Sequence, residues 1–129
     1  MIMTAETKEQ LARKFLIVLS HPDPEVIKGT AVEDVIWSFP GESPISGEAH
    51  GVDGIMKRAR TISSYDVKVE FIRAVHSLTS VAIFLHNTGN KNGRVLDEQV
   101  AGVFTFRGDK ISRLDTFLSD VGMAEAFFA

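Results

Sequence analysis

The sequence predicts an α+β fold: a cone-shaped, curved antiparallel sheet wrapped on three N-terminal helices, with a short C-terminal helix. Two observations predict it. Apolar residues recur at helical spacing in the first half of the chain, interrupted by a single early strand, and after Tyr65-Asp66 the pattern switches to period two. Helices thus come first and strands follow, which places helices on one face of the sheet. The 129 residues fit one domain, 1–129, with no internal repeat, low-complexity stretch or linker.

Thr7 and Gln10 have capping-box spacing, and Leu11, Phe15, Val18 and Leu19 then form one helical stripe. Ser20-His21-Pro22 stops that helix, because proline lacks a donor and disfavours a helical residue before it. Asp23 caps a short second helix with Pro24 at its first position, and Gly29 is its natural end. Val35-Ile36-Trp37-Ser38-Phe39 is β-branched and aromatic, hence a strand, ended by Pro40-Gly41. Pro44 to Gly51 reads as an irregular hairpin partner. Asp53 is placed to cap a third helix, with Ile55, Met56, Ala59 and Ile62 on one stripe. Val67, Val69, Phe71 and Val75 then alternate with polar or small residues, and Val81 to His86 is a nearly continuous apolar run. Asn87 to Gly93 is a loop by composition. Val95–Phe106 and Ile111–Leu118 are two further strands across Arg107-Gly108-Asp109, and Asp120 caps a last helix holding Met123 and Phe127.

Composition removes several function classes. There are 14 Lys+Arg against 17 Asp+Glu, a formal net charge of −3, which disfavours non-specific nucleic-acid binding. With no cysteine, thiolate nucleophiles, disulfides and cysteine-zinc sites are excluded. The four histidines are scattered without paired spacing, so no metal is expected. No window approaches the roughly 18 apolar residues of a membrane span, and Met1 to Glu6 lacks the basic-then-apolar pattern of a signal peptide. A cytoplasmic protein without cofactor, nucleic-acid partner or membrane is the resulting expectation.

Four features occur in a fixed order: the helix ending before Asp23-Pro24; Trp37-Ser38-Phe39-Pro40-Gly41; Ser46-Gly47 with His50-Gly51; and Gly102-Val103-Phe104-Thr105-Phe106 followed by Lys110-Ile111, Phe117 and Asp120. In these the chain resembles the nuclear transport factor 2-like superfamily, in its SnoaL-like and ketosteroid isomerase-related branch. The resemblance implies a sheet curled around the helices, a deep apolar pocket open at one end, and a homodimer through the outer sheet face. It does not carry the isomerase chemistry across. The positions of that family's tyrosine donor, base aspartate and protonated-acid donor fall at Phe15, Phe39 and Gly102, so all three functional groups are missing. The aspartate–arginine–aspartate set of the limonene epoxide hydrolases falls at Leu85, Ile83 and Thr116. Asp115, Asp120 and His86 are the residues that could imitate the acid/base pair of SnoaL-type cyclases.

Pocket lining turns on register, because a one-residue slip exchanges sheet faces. On Val95–Phe106 the more apolar set is Leu96, Glu98, Val100, Gly102, Phe104 and Phe106, which should face inward. A three-residue Arg107-Gly108-Asp109 loop, with Asp109 left-handed, puts Leu114, Thr116 and Leu118 inside; a two-residue loop puts Arg113, Asp115 and Phe117 there. Burying two charges costs several kcal/mol each, which favours the first. The expected pocket residues are Phe15, Trp37, Phe39, Met56, Ile83, Leu85, Glu98, Val100, Gly102, Phe104, Leu114 and Thr116, with His50 at the mouth. Plain core packing is the favoured reading of Phe15, Trp37 and Phe39, with stacking on a flat ligand the alternative. Glu98 is either a candidate base near the mouth or a solvated rim charge. Three functions remain in competition: a pocket for a small hydrophobic ligand, a cofactor-independent isomerase, cyclase or epoxide hydrolase, and a dimeric accessory domain with a filled core.

Overall fold

The structure is a computed structural model that describes residues 3–129. Its elements are α1 (Ala5–Leu16), a 3-10 turn (Ile17–Leu19), α2 (Pro24–Thr30), β1 (Ala31–Phe39), β2 (Gly47–His50), α3 (Gly51–Ser64), β3 (Lys68–His76), β4 (Ser80–Lys91), β5 (Arg94–Arg107), β6 (Lys110–Leu118) and α4 (Val121–Phe127). The six strands form one sheet in the order β2-β1-β6-β5-β4-β3. The ends of β5 and β6 lie within one residue of the expectation, but β1 and β6 pair in parallel, so the sheet is mixed rather than antiparallel. The α+β architecture, with helices on the concave face of a curved, unclosed sheet, is the one the sequence predicts.

Local departures have local causes. Helix α1 begins a turn earlier than expected, because Thr4 rather than Thr7 is its cap: Thr7 N–H donates to Thr4 Oγ1 at 3.1 Å. Asp23 and Asp120 cap α2 and α4 as expected. Asp53 does not cap α3; it lies in that helix's first turn, and His50 occupies the cap position without a side-chain hydrogen bond. Gly29 sits inside α2, which ends at Thr30.

The largest departure is Asn87 to Gly93. It is strand as far as Lys91, and only Asn92-Gly93 turn the chain, with φ of 55° and 82°. Both residues tolerate that left-handed backbone, which matches the twist of the flanking strands. Gly89 is present for room: a Cβ there would lie 2.9 Å from the Phe127 ring. A second departure is a bulge at Ile72. Phe71 pairs with Leu85 but Arg73 with Phe84, so Val75 lies on the outer face and Ala74 on the inner one.

One apolar core fills the space between helices and sheet, with Phe15, Val18, Ile27, Val35, Ile55, Ile83, Phe104 and Ile111 at its centre. Lys8 is buried at its edge. Its ammonium donates to the Ser77, Leu78 and Ser80 carbonyls at 2.8, 3.1 and 3.4 Å, tying α1 to the β3–β4 turn. No helix among the described residues is long and apolar enough to cross a membrane. Replacing Lys8 by Met keeps the stem but takes the ammonium donor from the Ser77 and Leu78 carbonyls, while Ser80 keeps the Ser77 N–H; urea unfolding is expected to show a loss of about 2 kcal/mol.

Candidate functional site

The inner sheet face is laid down in cross-strand rows. Ile83, Gly102 and Thr116 form one row; Leu85, Val100 and Leu118 the next; Asn87 and Glu98 the one beyond. The register of β6 decides this arrangement. The turn is the two-residue Gly108-Asp109 form, since Arg107 pairs with Lys110, and Gly108 rather than Asp109 takes the positive φ, 64°. By itself that turn would bury Arg113 and Asp115. A bulge corrects it: Phe106 pairs with Ile111 but Thr105 with Arg113, leaving Ser112 as the extra residue. The Ser112 hydroxyl donates to the Thr105 carbonyl at 3.2 Å. Ile111 and Leu114 are both buried as a result, and Thr116 follows Leu114 inward. The expected side-chain placement is therefore met, although the expected loop is not.

Between this face and the helices lies a cavity of about 50 Å³, walled by Trp37 and Phe39 of β1, by the inner residues of β4–β6, and by Leu16, Leu19 and Ile62 from the helical side. The resemblance implied a deep open pocket; the interior is far narrower. Helix α4 closes it. Ala124 and Phe128 line the cavity, and Phe128 packs with Phe127 and Tyr65 at ring-centroid distances of 5.0 and 5.2 Å. Of the expected pocket residues, Trp37, Phe39, Leu85, Glu98, Val100, Gly102, Leu114 and Thr116 line the cavity. Phe15, Met56, Ile83 and Phe104 do not; they are buried in the surrounding core, with Phe15 edge-on to Trp37 and to Phe104 at 6.5 and 5.7 Å. His50 is not at its mouth. It is exposed beside Glu48, 3.3 Å away, on a separate groove formed by Lys28, Val32 and Asp53.

Three polar groups reach the cavity. Trp37 Nε1–H donates to Thr116 Oγ1 at 2.9 Å, which fixes the indole and turns the threonine hydroxyl inward. Glu98 is 1% exposed. Its Oε1 accepts from the Ser119 hydroxyl at 3.1 Å and from the Asp120 backbone N–H at 2.9 Å, holding the start of α4 against β5. Its Oε2 has no partner among the described residues, and neither does Asn87 Oδ1. Glu98 is thus neither at a rim nor solvated: α4 covers it. The charged pair that was a candidate for the interior lies outside, where the Arg113 guanidinium donates to Asp115 at 2.9 and 3.0 Å and to Glu48 at 3.3 Å. Those carboxylates, Asp115 foremost, raise the Arg113 pKa. His86 is also on the outer face, with Nε2 2.6 Å from Asp97 Oδ1.

Arg58 is the functional-looking residue that the sequence did not single out. It is 7% exposed, and it donates to the Trp37 and Gly47 carbonyls at 2.6 and 2.8 Å. Its guanidinium lies 5.1 Å from the Trp37 ring centroid. Burial lowers its pKa to about 10, so it stays charged at neutral pH. Its position one turn from Ile55 and Ile62 was the available signal, since an arginine inside an apolar helical stripe is buried with it.

A sequence profile of the SnoaL-like domain matches residues 12–114. The chain belongs to the SnoaL-like family. An uncharacterised protein of Mycobacterium tuberculosis (strain H37Rv) is 24% identical over 98% of this chain and 100% of its own. Among solved structures, Bal32a from a soil-derived mobile gene cassette superposes with a TM-score of 0.88 at 20% identity, over 97% of this chain and 98% of that one. SalBIII, an epoxide hydrolase/cyclase-like enzyme in pyran ring formation in polyether salinomycin, superposes with a TM-score of 0.73 at 16% identity, over 93% and 94%. Other structures of this fold are NTF2-like proteins, one of them from Burkholderia xenovorans. Within the SnoaL-like fold, Arg58 ties α3 to β1 through Trp37 and to β2 through Gly47. Arg58→Met is expected to lower stability by about 2 kcal/mol in urea unfolding, because the buried Trp37 carbonyl and the part-buried Gly47 carbonyl lose this donor.

Proposed function

We propose that this SnoaL-like chain binds a small, compact hydrophobic ligand in the cavity under α4. The observation that carries the reading is the cavity itself, whose lining is apolar apart from Asn87, Glu98 and Thr116. Apolar walls with a few oriented polar groups are the usual make-up of a small-molecule site. The volume of about 50 Å³ is roughly a third of the ~150 Å³ that takes benzene, so a ligand enters only if the wall formed by α4 moves. The chemistry of steroid isomerisation finds no support, since Phe15, Phe39 and Gly102 offer no acid or base at the corresponding positions.

One observation favours a second reading, a cofactor-independent isomerase or cyclase. Glu98 presents a buried carboxyl oxygen with a free lone pair to the cavity, where it could accept a proton from a substrate. No second acid and no imidazole lines the cavity with it, which keeps binding ahead of catalysis. The third reading, a filled core, gains from the narrowness of the interior.

The outer face supports a homodimer. Phe84, Ala101 and Phe117 form a row across three strands, and Phe117 is 58% exposed. Both signs of charge flank the row, Arg73 and Arg113 against Asp97 and Asp115, so the face can complement itself.

Two outcomes are expected. Toluene, added to the intact chain, raises the melting temperature, and Gly102→Ala weakens that effect, because a Cβ there meets Leu114 Cδ1 at 3.2 Å beside the cavity. Unchanged melting with toluene and with other compact hydrocarbons selects the filled core. Separately, Phe117→Lys is expected to shift the chain from dimer to monomer in light scattering; a wild-type monomer removes the dimer.

A further inference from the structure

A cavity of about 50 Å³ is too small for a ring, since benzene needs about 150 Å³. The missing space is of the order of one phenyl ring, and one phenyl ring stands in the lining. Phe127 and Phe128 have separate places. Phe127 is fully buried, lies outside the lining and sits on β4 at Gly89, where a Cβ would come within 2.9 Å of its ring. Phe128 faces the cavity. Its ring meets Phe127 edge-on, with centroids 5.0 Å apart at 89°, and meets Tyr65 at 5.2 Å and 59°. The first is an arrangement that aromatic pairs favour.

The turn that carries Phe128 is held from outside the core. The Phe128 N–H donates to the Ala124 carbonyl at 3.0 Å and closes that turn. Across it, Arg94 of β5 donates to the Ala126 carbonyl at 3.4 Å and to the Ala129 oxygen at 2.9 Å. Both contacts are solvent-exposed, so the clasp is a weak one. Helix α4 has seven residues, Gly122 among them, and is too short to hold by its own hydrogen bonds. Unwinding its last turn withdraws Phe128 while Phe127 stays on Gly89, so the helix need not leave the sheet.

We propose that Phe128 is a built-in plug, and that the ligand is a neutral, compact aromatic group that takes the place of its ring; this rests on the reading of the cavity as a ligand site. In the complex the ligand ring meets Phe127 and Tyr65 as Phe128 does, and its far edge enters the space beside Val100 and Gly102. Arg94 is a positioning residue. By holding the last turn it sets the fraction of molecules whose plug is withdrawn. The apparent affinity of the ligand is its intrinsic affinity multiplied by that fraction.

The test compares toluene with methylcyclohexane, near in size and different in aromaticity, by NMR on the intact chain. Toluene is expected to bind severalfold more tightly, and Tyr65→Leu to bring the ratio toward one. Bound toluene is expected to speed amide exchange at Phe128 while the sheet amides stay slow. Arg94→Met alters neither the cavity lining nor the plug. It is expected to speed Phe128 exchange in the free chain by roughly three- to tenfold and to tighten toluene binding by the same factor. Toluene binding that slows Phe128 exchange, or faster exchange in Arg94→Met without tighter binding, overturns the plug while the cavity reading stands. Equal binding of the two hydrocarbons, or a ratio unmoved by Tyr65→Leu, overturns the aromatic ligand. Binding by neither compound overturns the cavity reading and the plug together.

Discussion

The bulge at Ser112 is the constraint on which the interior depends. A two-residue turn at Gly108-Asp109 starts β6 in the register that would bury Arg113 and Asp115. One extra residue, held by the Ser112 hydroxyl on the Thr105 carbonyl, returns Leu114 and Thr116 to the inside. The penalty avoided is that of two desolvated charges, several kcal/mol each. The same step sends Arg113 and Asp115 outward, where they pair with each other and with Glu48 on β2. Thr116 then meets the Trp37 indole from the parallel neighbour strand, and that contact sets one end of the cavity.

Buried polar groups organise the rest. Lys8 and Arg58 are both cations taken out of water, and both are satisfied by backbone carbonyls rather than carboxylates. Each links a helix to strand ends: Lys8 joins α1 to the β3–β4 turn, and Arg58 joins α3 to β1 and β2. Glu98 is the corresponding carboxyl group, joined to the start of α4 through Ser119 and Asp120. It differs in having one oxygen left over.

The order of elements was legible from period alone, because the switch from helical spacing to alternation at Tyr65-Asp66 coincides with the end of α3. The inward set on β5 was legible for the same reason, and it includes Glu98. Glu98's environment was not, because α4 follows it by more than twenty residues and only the folded chain brings the two together. Asn87 was hidden by composition: asparagines and glycines suggest a loop, whereas the inward alternation Leu85, Asn87, Gly89 runs on to an Asn-Gly turn. The loop length at Gly108 was misjudged while its consequence was right. Energetics constrain which side chains are buried; they do not dictate whether a longer turn or a bulge achieves it. The volume of the cavity was illegible as well, since it depends on how Phe127 and Phe128 pack beneath Gly89 and against Tyr65.

SnoaL-like folds supply a frame in which the sheet's inner rows meet a helical wall, and the chemistry resides in whichever side chains those rows present. Here the rows present hydrocarbon, one oriented hydroxyl, one amide and one half-satisfied carboxyl. Trp37 is the sole tryptophan and lines that space, so its indole N–H is a single resonance that reports on it. The most direct measurement follows that resonance by proton–nitrogen correlation NMR while a compact apolar ligand is added. A shift of the Trp37 indole signal that saturates, with slow amide exchange of the sheet maintained, is the expected result. An indole signal that stays in place while outer-face resonances move would contradict the account, because the ligand would then be binding to the surface of a filled core.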